Sequence, residues 1–258
     1  MMDDVIDYDD VPEDPMRAVI YGPPGMGKTS LAASFPNTIF LRTEDGRVRG
    51  AKMKAFPLID RFAMLQRRLS ELYNDEHPYR TLALDTLDGL EPIVWAELCR
   101  REGWSSIEAP GYGKGYQEAD AVWSEVLQAL YMLRRDKGMT ILLLAHSDVH
   151  TFNDPRSTSY SQYDFRLHKR AHAIIEDHVD CIFFLNQDVN IIEEKQGFNK
   201  TRTRADGMSI YIHANRRPAF NAKNRYEIPD KLLYERGAGY RMLAPYLPKM
   251  VNDIADAA

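Results

Sequence analysis

Apolar and polar positions along this chain follow two alternating rhythms. Short continuous apolar runs at residues 17–21, 38–42, 81–84, 140–145 and 181–185 are strand-sized. Strands that read as unbroken apolar runs are buried on both faces. Between them lie segments with helical spacing. Residues 28–35 follow a glycine-rich turn, 60–74 carry Phe62, Leu65, Leu69 and Leu72 on one face, 89–102 and 117–136 are amphipathic, and 167–178 reads as a further helix. This alternation predicts an α/β fold with a mostly parallel twisted sheet and helices on both faces. The rhythm then changes. Residues 188–228 alternate like antiparallel strands, with turn signals at Gly197 and Asp206-Gly207, so antiparallel strands are expected toward the C-terminus.

Composition adds limits. The 258 residues and 44% hydrophobic content suffice for one substantial core. The longest apolar run, residues 139–145, falls far short of the roughly 20 residues that cross a bilayer. The first residues lack a charged-then-apolar leader pattern. Cys99 and Cys181 lie far apart in apolar segments and read as reduced core residues. These features point to a cytoplasmic protein without a membrane partner. The net charge of −5 is unevenly spread: residues 1–14 hold seven acids and no base, so the remainder carries +2. The expected organisation is an acidic arm at 1–15, one α/β domain at 16–245 and a tail at 246–258. The arm is either a solvated tail or a tether with Val5, Ile6, Tyr8 and Val11 as anchors.

The strongest local signal is Gly22-Pro23-Pro24-Gly25-Met26-Gly27-Lys28-Thr29, followed by Ser30, which fits G-x-x-x-x-G-K-[ST] between a strand and a helix. The glycines let the backbone curl so that successive N–H groups face phosphate oxygens, and the helix N-terminus adds partial positive charge. Lys28 is expected to reach the β- and γ-phosphates of ATP, and the Thr29 hydroxyl to bind Mg²⁺. The run Thr81-Leu82-Ala83-Leu84-Asp85 ends a strand on an acid suited to hold the same Mg²⁺, with Thr86 beside it. Glu44, at the end of the strand after the P-loop helix, is the expected base for the attacking water, and Asp45 the alternative. His146 ends the strand at 140–145, where a polar residue can sense the γ-phosphate. His168, His172 and His178 lack the partners a zinc site needs.

Two further regions carry cations. Residues 150–172 combine Phe152, Tyr160 and Tyr163 with Arg156, Arg166, Lys169 and Arg170, lack periodicity, and read as a long mobile loop opening into a helix. Aromatics for bases and cations for phosphates suit single-stranded DNA. Residues 195–225 form a second basic stretch. Lys223 and Arg225, two apart in an extended strand, share a face and could act as trans fingers on a neighbour's γ-phosphate. Residues 111–116 read as a flexible loop with Lys114 near DNA, not a second P-loop.

Taken together, these residues resemble the RecA-like P-loop NTPase core, in which the catalytic glutamate ends the strand after the Walker A helix, as Glu44 does, and a polar sensor matches His146. Lys223-Asn224-Arg225-Tyr226 resembles the KNRFG signature of bacterial RadA proteins, with Tyr for Phe and Glu227 for Gly. Segments 22–30, 79–85, 111–116, 142–150 and 222–229 resemble phage ATPases of the Sak-type single-strand annealing group. The resemblance implies a DNA-stimulated ATPase that binds single-stranded DNA during phage recombination, by annealing or strand exchange. It also implies a homo-oligomer with ATP at subunit interfaces and a single-strand binding protein as partner. The alternative is a nucleotide-dependent assembly or regulatory ATPase that binds proteins and not DNA.

Overall fold

The computed structural model describes residues 13–46, 53–153, 158–187, 190–195, 201–206 and 209–248, with side chains of 190–195 and 201–206 left aside. The strands are β1 (Arg17–Gly22), β2 (Thr38–Arg42), β3 (Lys54–Ala55), β4 (Thr81–Asp85), β5 (Thr140–Phe152), β6 (Tyr160–Phe165), β7 (Cys181–Gln187), β8 (Asn190–Lys195), β9 (Thr201–Asp206), β10 (Ile210–His213) and β11 (Lys231–Tyr234). The helices are α1 (Lys28–Ala33), α2 (Phe62–Asn74), α3 (Leu87–Glu102), α4 (Lys114–Lys137), α5 (Lys169–His178) and α6 (Gly239–Leu243).

One sheet runs β11-β10-β7-β1-β5-β4-β2-β3, and β6 pairs with the far half of β5. The strands from β7 to β3 are parallel, while β10 is antiparallel to both β7 and β11. β8 and β9 form a separate antiparallel hairpin. The α/β architecture and its antiparallel C-terminal strands are those the apolar rhythm predicts.

Strand periodicity of two explains the layers. In β1, Val19 and Tyr21 enter one core with Leu65, Val94, Trp123 and Ile175 from α2, α3, α4 and α5. Ala18 and Ile20 enter the other, with Leu31 and Ala32 of α1 and Leu243 of α6. A strand covered on both faces has no polar side to show, hence the continuous apolar run. Parallel registry then aligns the strand ends: Gly22 lies beside His146, Leu144 beside Asp85, and Asp85 beside Arg42. The residues that follow these ends converge on one edge of the sheet.

One expectation is overturned. Residues 150–172 are not a long loop. β5 continues past the buried run to Phe152 and turns back as β6, pairing Ser147 with Phe165 and Phe152 with Tyr160. Past the half-buried His146 and Ser147 the strand leaves the cover of the helices, so its side chains are exposed and the apolar signal ends although the strand does not.

Candidate nucleotide site

The P-loop joins β1 to α1. Gly22 leaves β1 where a side chain at this position would run into the Leu185 carbonyl of β7. Gly27 precedes α1 with φ of 95°, a left-handed conformation that a side chain disfavours. Lys28 folds back, its Nζ donating to the carbonyls of Gly22 at 2.8 Å and Pro23 at 3.2 Å. Burial lowers the Lys28 pKa, and the charge of Arg166 adds to that, against the pull of Asp85, Asp88 and Glu44. A buried cation held over a curled backbone suits a polyanion. The Thr29 hydroxyl donates to Asp85 Oδ2 at 3.0 Å, so the two expected Mg²⁺ ligands already meet. Burial pushes the Asp85 carboxyl up, and the Glu44 charge adds to it. A second positive charge at this carboxylate would relieve that cost.

The other catalytic candidates are tied together. Glu44 Oε1 accepts from the Thr86 hydroxyl at 2.8 Å. Thr86 is held by Thr43, whose Oγ1 donates to the Thr86 carbonyl at 2.7 Å and accepts from its N–H at 2.8 Å. The Thr86 hydroxyl also accepts from Gly89 N–H and so caps α3. The Asp85–Thr86 peptide is cis. His146 Nδ1 lies 2.8 Å from Asp88 Oδ2, and the His146 N–H donates to Asp88 Oδ1 at 2.9 Å. A carboxylate on Nδ1 places the proton there and leaves Nε2 as the uncommitted ring nitrogen. Burial would raise the Asp88 carboxyl, but the hydrogen bonds from His146 outweigh it and hold it below the usual range. His146 Nδ1 lies 3.7 Å from Glu44 Oε1. Glu44, Asp88 and His146 thus cluster with side-chain polar atoms within 4.8 Å of one another.

These groups line a cleft of about 330 Å³ that also takes in Pro24, Gly25, Ser30 and Arg236. A more apolar cleft between α2 and α4, of about 230 Å³, offers Glu125 as its one charged group, already paired with Arg101, and so lacks the convergent polar groups that chemistry needs.

Lys28, Thr29, Asp85, Glu44 and His146, far apart in sequence, therefore come together as expected. Asp88, Thr43 and Arg236 were missed. Asp88 sits three residues past Asp85 in the first turn of α3, a position its spacing could have flagged. Arg236 has no local signal: it reaches the Gly25 carbonyl from 211 residues away.

The DNA candidates scatter. Phe152 and Tyr160 face each other near the hairpin end with ring centroids 5.3 Å apart. Tyr163 stacks on Phe184. Arg156 lies outside the described residues. Arg166 leaves β6 with its N–H on the His146 carbonyl, and its charge acts on Lys28, so it belongs near the phosphate cleft. Lys169 is exposed on the first turn of α5, and Arg170 is paired with Asp120.

Lys223 and Arg225 do not form an extended strand; Lys223 makes an isolated bridge to Ile182. Within one chain they lie at the opposite end of the sheet from the P-loop. Lys223 Nζ donates to the Glu176 carbonyl at 2.6 Å, and Arg225 pairs with Asp180 at 3.5 Å. In the same basic stretch, Arg216 pairs with Glu176 and Arg217 with Asp230. Lys200 lies outside the described residues, as does the acidic arm up to residue 12. No helix among the described residues is long and apolar enough to cross a membrane.

Residues 14–226 match the family model AAA_24, described as an AAA domain. No curated protein matches the chain. Among solved structures, the crystal structure of the RadB recombinase is similar at a TM-score of 0.41 and 16% identity, covering 67% of this chain and 75% of that one. The family match spans the P-loop, every acid of the cleft and the hairpin, and the chain belongs to the AAA_24 family of AAA domains, the class of P-loop ATPases that generally bind ATP and Mg²⁺.

Proposed function

We propose that this protein is an ATP-dependent, single-stranded-DNA-binding recombination protein of phage type, acting in annealing or strand exchange. The observation that carries the reading is the course of β5. Its buried half ends at Ala145, His146 follows in the nucleotide cleft, and six residues after His146 the same strand presents Phe152, 41% exposed, on the hairpin with β6. Val149 and Tyr163 are exposed on the same hairpin. Exposed aromatics stack on bases without regard to sequence. A strand that touches both sites moves one when the other is occupied.

Each residue then has a task. The P-loop backbone and Lys28 hold the phosphates. Thr29 and Asp85 hold Mg²⁺, which when bound neutralises charge on the β- and γ-phosphates. Glu44 takes the proton of the attacking water once Thr86 releases it or shares it. His146 meets the γ-phosphate by donating Nε2–H when the ring carries a proton on both nitrogens, and Asp88, accepting from Nδ1–H, fixes the ring. In a homo-oligomer with ATP at the interface, Arg225 of a neighbouring chain is the trans finger. Arg225 is half exposed and weakly paired, whereas Lys223 is engaged with a carbonyl. A single-strand binding protein is a further partner on this reading.

The test is phosphate release with and without saturating single-stranded oligonucleotide, together with anisotropy at two salt concentrations. DNA should stimulate turnover and bind with a steep salt slope. Phe152→Ala should weaken DNA binding by about tenfold, as loss of one stacked base does. Turnover indifferent to DNA, with no salt-dependent binding, overturns the DNA reading and favours a protein partner for the hairpin.

A further inference from the structure

We infer that the cleft between α2 and α4 seats the chain's own acidic arm, with Ile6 and Tyr8 as the side chains that enter it.

The chemistry of the cleft suits a peptide segment. Phe62, Leu65, Leu69 and Val126 form a buried apolar floor, flanked by Ala129 and Met132. Gln66, Ser70 and Asn74, four apart along α2, share one face and make an exposed polar wall. The volume of about 230 Å³ lies below the roughly 300–1,000 Å³ of small-molecule sites. From Gln66 to Asn74 the wall runs about 12 Å, the length of about four residues of extended chain. An apolar floor under amide and hydroxyl groups fits a short segment with its apolar side chains inward and its backbone at the rim.

The occupant follows from where the chain enters the fold. Asp14 pairs with Arg134 at 3.3 Å, and the Pro15 carbonyl accepts from the same guanidinium. Arg134 belongs to the last turn of α4, the helix that forms one side of the cleft. It faces Asp180 and so stands on the side of α4 away from the cleft. A chain running back from Asp14 must cross α4, which is about 10–12 Å wide. The six residues from Asp14 back to Tyr8 reach about 20 Å when extended. Tyr8 therefore reaches the near end of the cleft, where Tyr73 donates to Asp136. Ile6, two residues further back, shares the face of Tyr8 in an extended segment and falls deeper in the cleft. Attachment to the same chain keeps the arm at high local concentration, so a modest contact area suffices.

Charge favours the same route. The crossing passes Arg135 and Lys137, with Asp136 between them. The arm brings Asp9, Asp10 and Glu13 to that crossing. At the far end of the cleft, Arg67 and Arg68 share Glu71 as a partner, which leaves a surplus of positive charge for Asp3 and Asp4.

The test uses the full chain. With Tyr8→Cys and Ser70→Cys combined, mild oxidation should join positions 8 and 70 within one chain, read by peptide mass spectrometry. Tyr8→Cys combined with Ser124→Cys, exposed on α4 outside the cleft, should couple far less. Asp-N protease, which cuts before aspartates, measures how often the arm leaves its seat. Ser70 is exposed, so Ser70→Trp fills the cleft without touching the core. It should speed trimming of the arm by about fivefold or more, since cleavage follows the population of the released form. Arg135→Glu with Lys137→Glu should act in the same direction, as should 1 M salt. A bond between positions 8 and 70 that forms only between chains overturns the route within one chain. Equal coupling at 70 and 124, or a trimming rate that neither the filled cleft nor the reversed charges move, overturns the docking itself.

Discussion

Two aspartates, Asp180 buried and Asp85 half-buried, sit at opposite ends of the same sheet in opposite surroundings. Asp180, just before β7, accepts from the Arg17 N–H at 2.9 Å and from the Arg17 guanidinium at 3.1 Å. It also meets Arg134 at 3.3 Å and Arg225 at 3.5 Å. Burial alone would raise its carboxyl, but Arg17 and then Arg134 hold it below the usual range. Asp85, at the far end of β4, accepts from the Thr29 hydroxyl, and burial leaves its carboxyl raised. One end of the sheet spends its charges on itself. The other keeps a half-buried carboxylate and a buried lysine, for which no ion pair is found among the described residues, at the strand ends where ligands of open α/β sheets bind. An unsatisfied buried charge costs stability, and a ligand of opposite charge returns it.

The comparison breaks most visibly at Lys28. Lys28→Ala should lower phosphate release by about 10²–10³-fold or more, since a buried donor at the transferring phosphate is removed. Its melting temperature should stay near or above wild type, because the charge that burial disfavours is gone. Turnover near wild type would break the assignment of this end of the sheet to the nucleotide.

Asp180→Asn should give the converse result. It leaves Arg17 and Arg134 facing a neutral amide inside the fold and should cost about 3 kcal/mol in urea unfolding, with turnover per folded molecule retained. The pH dependence has a definite sign. The folded-state carboxyl lies below its unfolded value of 3.8, so its stabilisation is present above that pH and fades as pH falls through the folded pKa. The gap between variant and wild type should therefore narrow in acid. A gap that widens there would mean that Asp180 is not the anion holding these arginines.

The two ends were not equally legible in the sequence. The phosphate end was largely readable because its parts are local or obey a simple rule. Residues 22–29 bind through their own backbone, so the motif is contiguous, and Glu44, Asp85 and His146 each follow a strand-sized apolar run. Parallel strands bring such ends together without further information. The Asp180 cluster draws Arg17, Arg134 and Arg225 from three separate segments, and no spacing announces it. Arg236 was hidden for the same reason. The hairpin failed differently: apolar periodicity reports cover by other elements and not extended backbone as such, so the chain from 150 on looked like loop once the helices ended.

Glu91 supplies the smallest effect and a third case for the comparison. It is a buried carboxylate on α3, and its oxygens accept from the His168 N–H at 3.0 and 3.2 Å. Backbone dipoles alone do not offset burial, which pushes its carboxyl up to about 7, with the Asp88 charge adding to the rise. Below about pH 4.5 the group is protonated folded or unfolded and costs nothing. Between there and pH 7 the folded state holds the proton more tightly, so stability falls as pH rises, and above pH 7 the whole cost is present. Glu91→Gln keeps an acceptor for His168 and removes the charge. It should match wild type near pH 4.5 and exceed it at pH 8 by on the order of 1 kcal/mol, less than the full shift implies because solvent reaches part of the carboxylate. Thermal melts should show this as about 2–4 °C for a chain of this size. A variant whose advantage is the same at both pH values, or absent at pH 8, would place Glu91 with Asp180 among the carboxylates that the fold has already satisfied.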